Sequence, residues 1–297
     1  MTLIQCPEYH EEDLWYNTDV LQAVSLQRNI ETEVLDSYPV FLYRWKSFPL
    51  KIKAHIPWLN HLSLVKIVSF AREKKVPSLE IITNQRYKNI EVLPFRMREF
   101  RSATFLIDLT QSQEEIFAGF TSGRRNHIKK AMKENLSVRT EWDENIFNQW
   151  WNIYRETVQR QGFVSQNHEF VLTLLRKGIC KLFTAWLGKE MISGSLVVCN
   201  NYPMWWLGAS LRQYSQLNAP SLIQWKVIEW AGKEGYNFYD MGGASLASNH
   251  GPTNFKKTFG GELVKNIHYE VIFSPFWNKI VNTIRDVYYK KLKKSAY

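Results

Sequence analysis

The apolar positions of this chain follow two periods, which together predict a mixed α/β fold. Residues alternate between Lys or His and apolar side chains over most of Lys51–Ile56, as is typical of a half-buried strand. A helix predicted from about His61 to Lys75 carries apolar residues along one face, at Leu64, Ile67, Val68 and Ala71. Ser78–Thr83 is the next predicted strand, which completes a strand–helix–strand unit. The following residues, 86–101, are basic and aperiodic, and are predicted to be irregular.

The second half of the chain alternates predicted helices with a β-meander. Its three strands are predicted at residues 181–187, 191–198 and 203–210, joined by Gly-Lys and Asn-Asn turns. A helix then starts at Pro220 and runs to Glu234. A short strand from Phe238 to Met241 follows it. Further elements are predicted as a strand at 104–109, helices at 143–161 and 168–178, a last strand at 262–273 and a helix from Pro275 onward.

These elements predict two α/β (α+β) lobes that meet at a cleft. We place the first lobe at residues 1–110, the second at 111–275, and a basic C-terminal helix at 276–297. Nothing repeats at a fixed period, which excludes a solenoid. No stretch sustains the heptads of a coiled-coil arm.

Composition and charge narrow the class of partner. The 297 residues are 45% hydrophobic and 22% charged, as in a globular protein, and the net charge of +10 indicates an anionic partner. Cys6, Cys180 and Cys199 show no paired or metal spacing, which predicts free thiols in a reducing compartment. Without a signal peptide or a long apolar run, the protein is expected to be cytoplasmic. Its basic end allows at most a peripheral contact with the inner face of the membrane.

A glycine-rich segment near residue 250 is the first candidate site. The strand at Phe238–Met241 breaks at Gly242-Gly243, and a polar loop is predicted from Ala244 to Thr253. Two lysines, Lys256 and Lys257, then stand between Phe255 and Phe259. Cations between aromatic residues beside glycine-lined backbone suit an anionic ligand, although a solvated lysine pair in a loop explains the same pattern.

A basic cluster is the second candidate. A helix capped by Thr110 or Ser112 is predicted to end at Ser122-Gly123, and a basic helix follows. Free backbone N–H groups after a glycine turn favour phosphate binding, and the candidate phosphate ligands are Arg124, Arg125 and Lys129. Trp206 and Ser210 are expected to line the same cleft, and a core role for Trp206 is equally open.

Several motifs occur in one order along residues 104–275. They are Thr104–Leu109, Arg124–Ala131, Arg160–Phe163, Leu207–Ser210, Ala219–Trp225, Tyr239–Gly243 and Phe255–Gly261. In this order the chain resembles the FemABX family, the peptidoglycan bridge-forming aminoacyltransferases. In the first lobe, only Ile56-Pro57 matches that family's isoleucine-proline-arginine-glycine-proline motif.

The resemblance implies two lobes of the GNAT acyltransferase fold. It implies transfer from aminoacyl-tRNA to an amine of a cell-wall precursor that carries UDP or a lipid pyrophosphate, with no cofactor. It also implies that Lys256, beside Phe255, is the lysine at the reacting centre.

Acyl transfer to an amine requires a neutral amine, a polarised carbonyl and a stabilised oxyanion and leaving hydroxyl. Lys256 is the candidate for stabilising the oxyanion or the leaving ribose hydroxyl. Asp240 or Tyr239 is the candidate for positioning or deprotonating the amine, unless Asp240 only caps the turn. An activated ester needs no protein nucleophile, and the sequence shows no Ser-His-Asp or Cys-His motif. No metal site is expected, because the histidines lack ligand spacing.

Two alternatives remain open at the level of sequence. An acetyl-CoA-dependent GNAT N-acyltransferase of envelope polysaccharide metabolism needs a glycine-rich pyrophosphate loop, but the segment Leu211–Ser221 in that place has no glycine. A non-catalytic binder of an anionic glycan precursor or of RNA also fits the charge. Specific DNA binding is not expected, because the basic residues are spread over several elements.

Overall fold

The computed structural model describes residues 18–25, 30–35, 38–44, 51–56, 64–84, 96–163, 165–199, 201–246 and 251–294. Contacts between residues divide the chain into two units. The central unit is formed mainly by Ala103–Val264, and the split unit combines Pro7–Ser102 with Lys265–Lys291. The sequence placed the boundary between the two lobes at residue 110, whereas the contacts place it at residues 102 and 103. The contacts also assign most of the last predicted strand to the same unit as the N-terminal strands.

The split unit is a mixed sheet with helices. Its elements are α1 (Thr18–Ser25), β1 (Ile30–Leu35), β2 (Tyr38–Arg44), β3 (Lys51–Ile56), α2 (Leu64–Glu73), β4 (Ser78–Asn84), most of β11 (Glu262–Ile272) and most of α9 (Pro275–Lys294). Strands β1, β2 and β3 form an antiparallel meander. Helix α2 connects β3 to β4, which pair in parallel, and β11 pairs antiparallel with β4. This part of the sheet therefore needs strands from both ends of the sequence.

The core of the split unit lies where α2 packs on the sheet. Ile67, Val68 and Ala71 of α2 are buried against strand residues. Those strand residues are Val40, Leu42, Ala54, Leu79, Ile81 and Val271. The predicted helix face is thus confirmed at Ile67, Val68 and Ala71, and the side chain of Leu64, its fourth residue, lies outside the described part of the structure.

The central unit holds the remaining elements. They are the second half of β5 (Arg96–Asp108), whose residues 96–102 belong to the split unit, α3 (Gln113–Gly119), α4 (Ser122–Lys133), β6 (Leu136–Arg139), α5 (Glu144–Gln161), α6 (His168–Arg176), β7 (Cys180–Leu187), β8 (Glu190–Cys199), β9 (Pro203–Ser210), a 3-10 helix (Arg212–Leu217), α7 (Ala219–Lys233), β10 (Phe238–Asp240) and α8 (Gly251–Lys257). Its strand order is β5-β10-β9-β8-β7-β6. All neighbours pair antiparallel except β10 and β9, which are parallel because α7 crosses between them.

The mixed α/β class and the meander predicted from the sequence are confirmed, as are α5, α6 and α7. Asp143 caps α5 through its side chain, and Gly162 ends that helix with a left-handed φ of 67°. Pro220 occupies the second position of α7 rather than the first, because Asn218 is the N-cap residue.

Three local expectations are wrong. Residues 96–101 are not irregular but belong to β5. Ser122-Gly123 does not end a helix: α3 ends at Gly119, and Thr121 caps α4, with its side chain accepting a hydrogen bond from Arg124 N. The predicted polar loop ends before Gly251, because residues 251–257 form α8. The proline at its second residue has a backbone angle that suits a helix start.

Candidate functional site

The turn after β10 is fixed by two buried side chains. Asp240 is 6% exposed, and its Oδ1 accepts hydrogen bonds from Gly242 N at 2.6 Å and from the Thr104 hydroxyl. Thr104 Oγ1 is also 3.0 Å from the Gly242 carbonyl oxygen. Asp240 therefore holds the N–H of Gly242, and the single proton of the Thr104 hydroxyl is shared between the Asp240 carboxylate and the Gly242 carbonyl.

Gly242 occupies a position that only glycine fits. Its φ is +74°, and a Cβ at this position would lie 2.2 Å from the carbonyl oxygen of Trp205. Gly243 is exposed, and a Cβ there would meet nothing within 4 Å. The two glycines therefore have different roles, the first in close backbone packing and the second at an open surface.

Lys256 of α8 reaches the same turn. Its side chain is buried, and Nζ donates a hydrogen bond to the Gly243 carbonyl at 2.7 Å. Nζ also lies 5.0 Å from the ring centroid of Trp205, within the range of a cation–π contact.

Burial changes the protonation of this pair. It lowers the pKa of Lys256 to about 8, and the charge of Asp240 partly opposes that shift. Burial also raises the pKa of Asp240, against the hydrogen bonds from Thr104 and Gly242 and the charge of Lys256. A lysine with a pKa of about 8 is still mainly protonated at neutral pH, so Lys256 is a cation there.

Arg124 of α4 is the second buried cation. Its guanidinium donates to Thr258 Oγ1 at 2.9 Å and to Ser221 Oγ. The guanidinium carbon lies 4.1 Å from the ring centroid of Phe255 and 4.6 Å from that of Phe259. Burial lowers the pKa of Arg124 to about 10, so the side chain remains charged at neutral pH.

A pocket of about 250 Å³ opens beside Arg124. Its walls come from α4, β8, β9, α7, α8 and the segment between β9 and α7. The lining residues are Arg124, His127, Ile192, Ser210, Leu211, Tyr214, Ser215, Asn218, Ala219, Pro220, Ser221 and Phe255. A cation, hydroxyl groups and aromatic rings around one cavity suit a ligand with an anionic and a planar part. Phe255 lines this pocket, whereas the next residue, Lys256, reaches the Gly243 turn.

The structure thus brings most of the predicted site residues together. Lys256, Asp240, Gly242 and Gly243 form the turn cluster, while Phe255, Arg124 and Ser210 line the pocket next to it. The Phe255 ring joins the two, with its centroid 5.8 Å from that of Trp205.

Four other predicted residues lie elsewhere. Tyr239 is fully buried on the opposite side of β10 from Asp240, and its hydroxyl donates to Gln224 Oε1 at 2.5 Å. Arg125 donates to the carbonyl oxygens of Ala118, at 2.8 Å, and of Phe120, which ties it to the end of α3. The remaining two are Lys129, whose side chain is exposed, and Trp206, whose ring packs on Phe170 of α6 at 5.9 Å.

Sequence reasoning missed Thr104, Trp205 and Ser221. Trp205, next to the predicted Trp206, contacts the turn cluster, whereas Trp206 packs on Phe170, and the pairing of β9 with β8 is irregular at this point. Thr104 contacts Asp240, and Ser221 contacts Arg124. Each pair is separated by more than 90 residues of sequence, so no local pattern reveals these contacts.

The split unit contains a serine–histidine pair that the sequence did not suggest. Ser102 Oγ lies 2.6 Å from His268 Nε2, and Glu80 Oε1 lies 3.8 Å from His268 Nδ1. The second distance exceeds a hydrogen bond, so the geometry of a catalytic triad is incomplete.

Burial also raises the pKa of Cys199 to about 11 and that of Cys180 well above its usual range, so neither thiol ionises near neutral pH.

Neither a metal site nor a membrane-spanning helix is found among the described residues. In the part of the chain that the structure describes, three or more His, Cys, Asp or Glu side chains nowhere gather as a metal site would require. Within the same ranges, no helix has both the length and the apolar character to cross a bilayer.

Mixed sheets flanked by helices, with a buried lysine at a glycine turn and a pocket lined by Arg124 beside it, define the class of this protein as a mixed α/β protein with a cationic pocket. The FemAB family model matches residues 180–275, which include Trp205, Asp240 and Lys256. The resemblance to the FemABX family inferred from the motifs is thereby confirmed. No curated protein matches the chain.

Solved structures agree on the fold. The crystal structure of FemX is similar with a TM-score of 0.70 and 15% sequence identity, covering 92% of this chain and 94% of that one. The structure of L-PGS from Bacillus licheniformis has a TM-score of 0.64 and 11% identity, covering 89% and 91%. The C-terminal domain of a putative lysylphosphatidylglycerol synthetase from Agrobacterium fabrum has a TM-score of 0.60 and 8% identity, covering 91% and 89%.

Proposed function

We propose that this protein transfers an aminoacyl group from aminoacyl-tRNA to an amine of a cell-wall or related envelope precursor, forming an amide bond. The match to the FemAB family and the fold shared with FemX support this activity. The observation that carries it is Lys256, a buried cation held at the Gly243 carbonyl next to the Arg124 pocket.

The reaction assigns a distinct role to Lys256. The neutral acceptor amine attacks the ester carbonyl of the donor, charge develops on the carbonyl oxygen, and the ribose hydroxyl leaves with a proton. A preorganised ammonium group in a partly dry site stabilises that developing charge better than water does. Lys256 keeps its proton during the reaction, which agrees with its mainly protonated state at neutral pH.

Asp240 and Tyr239 act as positioning residues in this proposal. The carboxylate of Asp240 is occupied by Thr104 and Gly242 N, and the Tyr239 hydroxyl is bonded to Gln224. Both hold the strand end in the geometry that presents the Gly243 carbonyl to Lys256. The acceptor amine therefore loses its proton to another group or to water.

The pocket beside Arg124 is the proposed site for the donor end. Arg124 supplies a charge for a phosphate, and Phe255 and Tyr214 supply planar surfaces for a base. Charged tRNA is the proposed donor, and a UDP- or lipid-linked precursor is the proposed acceptor.

The decisive experiment compares two neighbouring lysines. We expect Lys256→Ala to lower the transfer rate at least about a hundredfold, as loss of one oxyanion-stabilising group does. Lys257→Ala is the matched control, because Lys257 is exposed and is expected to keep nearly the wild-type rate. Circular dichroism and thermal unfolding of each variant establish that it is folded. Wild-type transfer by a folded Lys256→Ala variant would rule out the proposed role.

A donor screen separates the proposal from its alternatives. Aminoacyl-tRNA and acetyl-CoA are each incubated with the protein and an amine acceptor, and acyl consumption is measured. Turnover of acetyl-CoA alone would instead support the GNAT N-acyltransferase. The absence of glycine in Leu211–Ser221 argues against that outcome. Consumption of neither donor, together with tight binding of an anionic glycan or RNA, would support a non-catalytic binder.

A further inference from the structure

Helix α9 is held on the split unit by its first turn. Phe273 N and Ser274 N donate hydrogen bonds to the Pro77 carbonyl at 2.9 and 3.1 Å, and Asn278 N donates to the Ser274 carbonyl at 2.9 Å. The Asn278 side chain is 3% exposed. The helix start therefore has a fixed orientation, with Asn278 on the inward side.

This orientation leaves large apolar side chains in solvent. Phe276 is 68% exposed, Trp277 is 49% exposed, and Ile284 is 40% exposed. Trp277 and Ile284 are seven residues apart, which places them on the same face of a helix. We call Phe276, Trp277, Lys279 and Ile284 the α9 surface. Single exposed apolar residues are normal on a protein surface, but a cluster of them often marks an interaction site. The exposed Phe276, Trp277 and Ile284 form such a cluster.

The sequence of α9 is strongly basic. Lys279 is exposed beside the two aromatic residues. From residue 279 to residue 294 the sequence has six basic residues and one acidic residue, Asp286. A helix that combines exposed aromatic residues with many lysines has the composition of one that lies in the plane of an anionic bilayer surface. Tryptophan in particular favours the headgroup region.

We propose that the α9 surface docks this protein on an anionic lipid bilayer. Phe276, Trp277 and Ile284 enter the headgroup–acyl boundary, and Lys279 contacts acidic headgroups. The opposite charges of the helix and the headgroups favour a bilayer over an apolar protein groove. The aliphatic side chain of Ile284 on the same face has no ring to stack on a nucleic-acid base, which favours a bilayer over a nucleic acid. This docking does not depend on the transfer reaction.

Vesicle co-sedimentation of the full chain tests the docking. One set of vesicles contains phosphatidylcholine only, and the other contains equal parts of phosphatidylcholine and phosphatidylglycerol. We expect the protein to bind the second set at least about tenfold more tightly, because each basic residue near such a surface contributes roughly fivefold. Binding should weaken as the salt concentration rises.

Variants locate the contact. The double variant Phe276→Ser, Trp277→Ser should bind the anionic vesicles at least about tenfold more weakly, because it removes the apolar insertion. Lys279→Gln should weaken binding about fivefold. Phe163→Ser is the matched control, because Phe163 is 47% exposed but belongs to the central unit, and it should bind like the wild type. Equal binding to both vesicle sets, or a folded double variant that binds like the wild type, would overturn the proposal.

Discussion

At the scale of single residues, the protonation of Lys256 links burial to chemistry. The side chain loses water on entering the space between Trp205 and the Gly243 carbonyl, and this loss brings its pKa to about 8. The neighbouring Lys257 is exposed and has no such environment. Identical side chains one position apart therefore differ in environment because only Lys256 faces inward.

The proposed role of Lys256 predicts how transfer depends on pH. The cation is present below a pKa of about 8 and is lost as the pH rises through that value, so the rate constant should fall above about pH 8. Measuring single-turnover transfer from neutral to alkaline pH tests this expectation.

Lys256→Arg is the control for that profile. An arginine stays protonated throughout this range, so its falling limb should move to higher pH even if its overall rate is lower. A rate that instead rises through pH 8 in the wild type and not in Lys256→Arg would indicate that neutral Lys256 acts as a base.

The sequence identified most of the turn cluster at this scale but not its partners. Gly242, Gly243, Asp240 and Lys256 are close in sequence, and their residue types fit either an anion site or a loop with a solvated lysine pair. Asp240 was open to a catalytic or a capping role, and its hydrogen bond to Gly242 N now favours the second. Thr104, which completes the contact, comes from β5 and is defined only by strand pairing.

At the scale of elements, the turn after β10 depends on the close approach of two strands. Gly242→Ala should lower the free energy of unfolding by about 2 kcal/mol or more, because φ is +74° and the added Cβ meets the Trp205 carbonyl. Gly243→Ala, one position away, has open space and no positive φ, and it should change stability by less than about 0.5 kcal/mol. Urea unfolding of both variants measures the difference, and similar losses in the two would contradict it.

Elements with a strong period were predictable, and elements defined by partners were not. The meander, α5 and α7 have clear turns, caps and apolar faces in the sequence. Strand β6 has four residues and is recognised mainly through its pairing with β7. The charged start of β5 at residues 96–101 likewise lacks alternation, so tertiary pairing decides its conformation.

At the scale of the whole molecule, the split unit depends on both ends of the chain. Residues 266–272 of β11 pair with residues 78–84 of β4, and Val271 is fully buried in the core of that unit. A chain that ends at Val264 should therefore lose the fold of the split unit while the central unit persists. Limited proteolysis should then digest the residues before Ser102 and spare a fragment that begins near Ala103.

A chain that ends at Ser274 is the matched control for this truncation. It keeps β11 and lacks only α9, so the N-terminal residues should resist the protease better than in the shorter chain. Equal protection of the N-terminal residues in the two truncated chains would show that β4 does not need its β11 partner.

The pairing of β4 with β11 also sets an order of events on the ribosome. The N-terminal strands leave the exit tunnel first, but the residues of β11 that pair with β4 are synthesised about 190 residues later. At typical rates of translation this delay lasts roughly 10 to 40 s. By the end of that time residues 103–264 of the central unit have been synthesised, while β4 still presents an open edge that attracts other strands. Synthesis therefore favours folding of the middle of the chain before its beginning, and a nascent chain at this stage is the form in which the protein most needs a chaperone.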